Sequence, residues 1–330
     1  MEPKYKSVLI ACPGNAMTAG PEAIHQLAAD LNRLGCNSAV VYFPFSKKFE
    51  TPDPYKKYKA PIELYRDNSD DLFIFPEIVT TYALALKKAK AAIWWMSVNN
   101  FTCQRYGNPF RDKFRYFKNF VKGLRPINGL KSLRYLDHYA QSYYASEFLR
   151  LNNLKSKILS DPIPVYTNTD YLSSLKIRPG SERSDLILYN PNKGAKINQY
   201  LIQRFKNFNF FPLVGYDREA LANIFQSAKL YIDFGHHPGK DRLPREAAIH
   251  GCCVITSLYG SAENTLDINI PNRYKLNPNQ SNFDHLFESL VIDIFNSYEI
   301  CHKDFVEYRK TISNEQNLFD QQILDIFFTN

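Results

Sequence analysis

Tyr231-Ile232-Asp233-Phe234-Gly235-His236-His237-Pro238-Gly239-Lys240-Asp241-Arg242-Leu243-Pro244-Arg245-Glu246-Ala247-Ala248 holds eight ionisable side chains in the fourteen residues from Asp233 to Glu246. Ahead of it, Leu230 to Phe234 reads as a short buried strand, and behind it Pro244 to His250 reads as a helix. A charged loop between strand and helix is where a doubly wound α/β sheet binds ligands, outside the carboxyl ends of its strands. Gly235 and Gly239 allow close backbone approach. Lys240 and Arg242 suit a diphosphate, and Glu246 can accept from ribose hydroxyls, although a merely solvated loop would share this composition. His236 and His237 are adjacent, so they point apart, and no third ligand accompanies them; no metal is expected.

Working outward, strand-like and helix-like stretches alternate along both halves. Strands are expected at Ser7 to Cys12, Ala39 to Phe43, Leu72 to Phe75, Ala91 to Met96, Ala140 to Tyr144 and Lys157 to Leu159, with helices at Pro21 to Leu34 and Val79 to Lys90. Turn signals at Pro162, Pro164, Asn168 and Arg178-Pro179-Gly180-Ser181 mark a linker. A second alternation follows, with strands Leu186 to Tyr189, Phe210 to Val214, Leu230 to Phe234 and Cys252 to Thr256. Helices fall at Ile197 to Phe205 and Arg218 to Ala228, the latter capped by Asp217. The fold class is α/β, two Rossmann-like domains facing a central cleft. The domains are 1–164, 165–310 and a C-terminal helix, 311–330, packing back toward the first.

Composition agrees with a soluble protein of two domains: 330 residues, 45% hydrophobic and 22% charged. The six cysteines form no C-x-x-C pair, which fits a reducing compartment. Val8 to Cys12 is too short for a signal peptide or a spanning helix, so a cytoplasmic location is expected. The net charge is +8, and the segment from Arg105 to Arg134 alone holds nine Lys or Arg against one acid, Asp112. Such a balance suggests an anionic partner.

Within that segment Asn108-Pro109 starts a helix on which Phe110, Phe114, Phe117, Val121 and Leu124 recur at helical spacing. Arg111, Lys113, Arg115, Lys118, Lys122 and Arg125 fill much of the rest. The plainest reading buries the phenylalanines against the first domain. The basic face, 108–125, also suits an anionic membrane surface, peripheral on the inner face of the plasma membrane. The two readings are compatible if Tyr116 and Phe120 face outward.

Two further loops follow strands. Pro13-Gly14-Asn15-Ala16-Met17-Thr18-Ala19-Gly20-Pro21-Glu22 ends at a helix start whose free amides can hold a phosphate or a hydroxyl. Tyr189-Asn190-Pro191-Asn192-Lys193-Gly194 offers a lysine as a point charge for a pyrophosphate. Ser97, Asn99 and His138 lie near strand ends, and at least one of Trp94 and Trp95 belongs to a core.

Leu243-Pro244-Arg245-Glu246-Ala247-Ala248, with Gly251 and Val254-Ile255-Thr256-Ser257, resembles the E-G-F-G-L-P-x-x-E-A stretch of family 4 glycosyltransferases, which have the GT-B fold. Gly20-Pro21-Glu22 is similar to that family's G-G-x-E loop, and Lys193-Gly194 to its K-G. The resemblance implies a glycosyltransferase moving a sugar from a nucleotide-diphosphate donor to a saccharide or lipid-linked acceptor, retaining and metal-independent, in surface polysaccharide synthesis. The nucleotide sugar is the substrate, and no cofactor is implied. Donor binding falls to Lys193, Gly194, Gly235, Arg242, Glu246, Gly260 and Ser261, the last two through backbone amides near the phosphates. Gly20, Glu22, Ser97, Asn99 and His138 form the acceptor or phosphate side. The family's first glutamate falls on Pro238, so the sugar contact passes to His236, His237 or Asp241, which are the candidate catalytic residues. The family's arginine falls on Leu188, and Arg242 stands in for it.

A nucleotide-sugar epimerase of the same fold would use the same donor residues with an acid and a base at the sugar. Binding of nucleic acid through the basic helix would need a recognised module around it, and none is present; no nucleic acid is expected.

Overall fold

The computed structural model describes residues 1–102, 109–121, 129–163 and 175–329. Apolar runs build the strands of a first sheet: Ser7–Pro13 (β1), Ser38–Phe43 (β2), Asp71–Pro76 (β3), Lys90–Trp95 (β4), Asp137–Ala140 (β5) and Lys157–Ile158 (β6). All pair in parallel, in the order β2-β1-β3-β4-β5-β6. Parallel strands are covered on both faces, which is why β2 and β3 are buried along their whole length. The second sheet holds Ser184–Tyr189 (β7), Asn209–Pro212 (β8), Ala228–Asp233 (β9) and Cys253–Thr256 (β10), parallel in the order β10-β9-β7-β8.

The chain divides into two compact units, Met1–Pro164 with Gln316–Asn330, and Val165–Glu315. The terminal helix Glu315–Phe327 starts at that boundary and gives Phe319, Ile323, Ile326 and Phe327 to the first unit's core, beside Ile24, Leu27 and Trp94. The opposite face of the first sheet buries Phe73, Phe75, Trp95 and Leu149. Both tryptophans are therefore core residues. Trp94 Nε1 donates to the Leu159 carbonyl at 2.9 Å, and Trp95 Nε1 donates to His138 Nδ1 at 3.0 Å. Cys12, Cys36, Cys252, Cys253 and Cys301 are buried thiols.

Strand order reverses between β1 and β3 in the first sheet and between β7 and β9 in the second. Reversals open a crevice at the carboxyl ends of the strands. The loops there are those after Pro13 and Pro76 in one unit, and after Tyr189 and Asp233 in the other.

Three expectations need correction. The expected strand Ala140 to Tyr144 ends at Ala140, because Ser142 caps the helix Tyr143–Leu151 by accepting from the Ala145 amide at 3.1 Å. The expected helix Val79 to Lys90 is shorter, a 3-10 turn at Glu77–Val79 followed by Thr80–Ala85. The third concerns the helix Pro109–Val121. Its Phe110, Phe114, Phe117, Phe120 and Val121 are all exposed, Phe110 by 86% and Phe114 by 70%. Periodicity shows that apolar residues share a face but not what covers it. Arg105, Asn108, Lys122, Leu124, Arg125, Pro164 and Asn168 lie outside the described residues, as do the side chains of Arg111, Asp112, Arg115 and Tyr116. No helix among the described residues is long and apolar enough to cross a membrane.

Candidate functional site

At the β7/β9 reversal four ionisable side chains close on one another. Lys193 Nζ donates to Asp241 Oδ2 at 2.7 Å and to Asp233 Oδ2 at 2.9 Å, and lies 3.3 Å from His237 Nδ1. His237 is fully buried, with Nδ1 2.7 Å from Asp241 Oδ2 and Nε2 3.3 Å from the Asp233 carbonyl. Burial opposes the charge on Lys193, but Asp233 and Asp241 more than offset it, and the ammonium stays above the usual lysine range. Burial likewise opposes ionisation of Asp241, yet Lys193 and His237 hold its carboxyl well below the carboxylate range. Among the described residues no three His, Cys, Asp or Glu are grouped to hold a metal ion. The place a cation would take between Asp233 and Asp241 is filled by Lys193.

One turn along the helix Arg242–Ile249, Arg242 Nε lies 3.0 Å from Glu246 Oε1. Arg218, at the start of the helix Arg218–Ser227, joins them. Burial and then the charge of Arg242 push its guanidinium down to about 10, with Glu246 opposing. Tyr231 lies within electrostatic reach of Asp233, Asp241 and Glu246, so it links the lysine cluster to the arginine pair. Lys193, Arg242 and Glu246 thus gather at one end of one sheet. Arg218 was missed by sequence reasoning; its signal was its place directly after the capping Asp217, whose side chain accepts from the Ala220 amide at 2.9 Å.

Lys240 is spent elsewhere. It pairs with Glu315 at 2.9 Å, and Glu315 also takes the buried Arg245 at 2.8 Å. Arg245 Nη2 donates to the Lys240 carbonyl and Nε to that of Asp241, each at 3.1 Å. The loop is therefore braced from the start of the terminal helix, a role invisible in the local sequence because Glu315 lies far along the chain.

Gly194 and Gly260 are required by close contact. Gly194 has φ +67°, and a Cβ there would come 2.9 Å from the Gly235 amide nitrogen, so the two site loops touch backbone to backbone. Gly260 has φ +68°, and its Cβ would fall 2.0 Å from the His237 carbonyl. The expectation that Ser261 offers its amide to phosphates is corrected. That amide donates to the His237 carbonyl at 2.8 Å and its hydroxyl to Gly239 at 2.6 Å, so Ser261 braces the loop. Of the two histidines, only His236 is exposed. Desolvation, helped by His237, keeps it below its ordinary range.

In the first unit, Gly20 sits in the first turn of the helix Ala19–Arg33, with Met96 side-chain atoms 3.8 Å from where a Cβ would stand. Glu22 is buried and accepts from the Tyr58 hydroxyl at 2.9 Å. Ser97 and Asn99 are buried after β4, and the Ser97 hydroxyl accepts from the Asn100 amide at 3.2 Å. His138 is corrected from an acceptor candidate to a core histidine. With Nδ1 accepting from Trp95, its Nε2 lies 3.0 Å from the Leu133 carbonyl, so both ring nitrogens are committed. The unexpected group is Glu77, buried after β3 at the strand reversal. It accepts from the Met96 amide at 3.1 Å and Asn100 Nδ2 at 3.3 Å, and burial pushes its carboxyl up to about 7.

No protein-family model matches the sequence, and no curated protein matches it. Solved structures do match, over nearly the whole chain. Anabaena HepE in complex with UDP-glucose aligns with a TM-score of 0.63 at 11% identity, covering 97% of this chain and 98% of the other. WaaG, a glycosyltransferase involved in lipopolysaccharide biosynthesis, aligns with a TM-score of 0.57 at 13% identity, covering 96% and 98%. The sucrose-phosphate synthase of Thermosynechococcus elongatus aligns at 0.57 and 11%, covering 98% and 95%. The fold is GT-B. Both Rossmann-like sheets of this GT-B chain carry charged or buried ionisable groups at their strand reversals: Lys193 and Asp233 in one, Glu77 in the other.

Proposed function

We propose that this protein is a glycosyltransferase that moves a sugar from a nucleoside-diphosphate donor to a saccharide or lipid-linked acceptor. The observation that carries the reading is the Lys193–Asp241 pair and, on the adjoining residues, the Arg242–Glu246 pair, in the loop and helix that follow β9, in a fold whose solved examples include a complex with UDP-glucose. Glycosyl transfer needs charge stabilisation on a departing diphosphate, and preorganised cations supply it without reorganisation at the moment of reaction. Lys193 and Arg242 are those cations. Asp241 stands at the N-cap of the helix Arg242–Ile249 without capping it, so that helix end is a second place for phosphate oxygens. Glu246 accepts from the ribose. His236, exposed beside Gly260, is the group best placed for the sugar. Transfer proceeds with retention and without a metal in this reading, the leaving diphosphate helping to take the acceptor proton.

The exposed Phe110, Phe114, Phe117 and Phe120, with exposed Lys113 and Lys118, give the helix Pro109–Val121 the character of an interfacial anchor. It would hold the enzyme against an anionic lipid surface, where a lipid-linked acceptor for surface polysaccharide synthesis resides. A thermal-shift series with UDP, GDP, dTDP, ADP and their sugars tests the reading. Stabilisation by one nucleotide family is expected, and none by any would overturn it. Transfer to an added acceptor, as opposed to interconversion of the free nucleotide sugar, separates this activity from epimerisation.

A further inference from the structure

The amino ends of β4, β5 and β6 enclose a second site, on the far side of the first sheet from its strand reversal. A cavity of about 740 Å³ opens there, lined by Lys4, Lys90, Arg134, Lys155, Lys157 and a single carboxylate, Asp137. That volume is in the range of small-molecule sites. Asp137 is already taken by Lys90, at 2.9 Å. Lys4 is held in place by the terminal helix, whose Asp325 and Ile326 carbonyls accept from its ammonium at 3.1 and 3.0 Å. Lys155 and Lys157 form no ion pair among the described residues, and Arg134 contacts the ring and hydroxyl of Tyr135 but no carboxylate. The cations also crowd one another: burial and then the charge of Lys157 hold Lys4 below the lysine range, with the Asp325 carboxylate opposing and Lys90 adding to the effect.

A lysine on an edge strand is a common guard against unwanted strand pairing, and that explains Lys157 on β6. It does not explain Lys4, Lys155 and Arg134 around the same space. Crowded like charges destabilise a fold unless an anion relieves them. We propose that this cavity binds a phosphate-bearing anion, at a site separate from the donor residues of the second unit. The anchored Lys4 and the unpaired Lys155 and Lys157 hold its phosphate; Tyr5 and Ser156 also line the cavity, their hydroxyls in contact with Lys90 Nζ at 3.3 Å and the Ser146 hydroxyl at 3.2 Å.

The test is calorimetric titration of the full chain with inorganic pyrophosphate and, in a parallel arm, with dihexanoyl phosphatidic acid below its micelle concentration. The stronger of the two identifies the source as a soluble phosphate or a lipid headgroup. Lys155→Gln/Lys157→Gln alters two exposed side chains and leaves the anchored Lys4 alone, so the fold should survive, which a thermal melt checks. The double variant is expected to lose binding at least tenfold at one site, while Lys193→Ala spares that site. Unchanged binding in the double variant, loss of all binding in Lys193→Ala, or no binding of either probe to the wild type overturns the proposal.

Discussion

Lys193 Nζ and Asp241 Oδ2 lie 2.7 Å apart, and a second carboxylate, Asp233, lies 2.9 Å from the same ammonium. The cation proposed for the donor's diphosphate is therefore already neutralised by the protein. A diphosphate has to displace Asp241, the more exposed of the two carboxylates at 25% against 1%. Asp241→Asn keeps the shape and removes the competing charge. UDP should bind the variant several-fold more tightly by calorimetry, and weaker binding would show that Asp241 contacts the donor directly.

Glu246 is buried, 3.0 Å from Arg242 Nε and within electrostatic reach of Arg218. Removing its carboxylate strands two guanidinium groups, so Glu246→Ala should cost about 1–3 kcal/mol of stability as well as ribose binding. Glu246→Gln isolates the binding role. Its amide oxygen can still accept from Arg242, so it should melt above Glu246→Ala, with nucleoside-diphosphate affinity reduced at least about tenfold, one charge-assisted hydrogen bond being worth that much. Wild-type affinity in Glu246→Gln would retire the ribose assignment.

Gly260→Ala places a methyl group against the His237 carbonyl at positive φ. Backbone strain alone is worth about 1–3 kcal/mol, and the overlap adds to it. Denaturant unfolding should report a loss of at least that size, together with weakened nucleotide binding, since His237 carries the loop. A variant of wild-type stability would mean that the 237–260 contact is not kept in solution.

The exposed phenylalanines predict vesicle binding. Each buried phenyl contributes about 1.5–3 kcal/mol, so Phe114→Ser/Phe117→Ser should lower partitioning onto anionic vesicles by at least about 100-fold. The melting temperature should not fall, because both side chains are already exposed. A large loss of stability with unchanged vesicle binding would return the stripe to the protein's interior.

Glu77, pushed up to about 7 from its ordinary 4.5, gives a pH dependence with a definite sign. Between about 4.5 and 7 the folded state holds a proton that the unfolded state has released, so stability falls as pH rises through that window. Below it both states are protonated and the burial cost is absent. Unfolding free energies at pH 5 and pH 8 should differ more in the wild type than in Glu77→Gln. Equal pH slopes would mean that the carboxyl is not buried as described.

The amino-acid sequence by itself determined most of the strands, because a doubly covered parallel strand must be apolar on both faces and therefore reads as an unbroken run, as in Val8 to Cys12 and Leu72 to Phe75; the short β5 was misplaced. It also located the charged turn from Asp233 to Glu246, since ionisable residues crowded between a strand and a helix need no tertiary information to be seen. The partners were decided only by the tertiary structure. Lys193 meets Asp241 across 48 positions, Arg245 meets Glu315 across 70, and Arg218 joins Glu246 from a neighbouring helix. Burial was decided there too: His237 and His138 became packed, fully committed rings, while the phenylalanine stripe of Pro109–Val121 stayed open. Local patterning records which residues share a face, but charge pairing and solvent exclusion depend on what other segments bring to that face, and only the assembled sheets supply it.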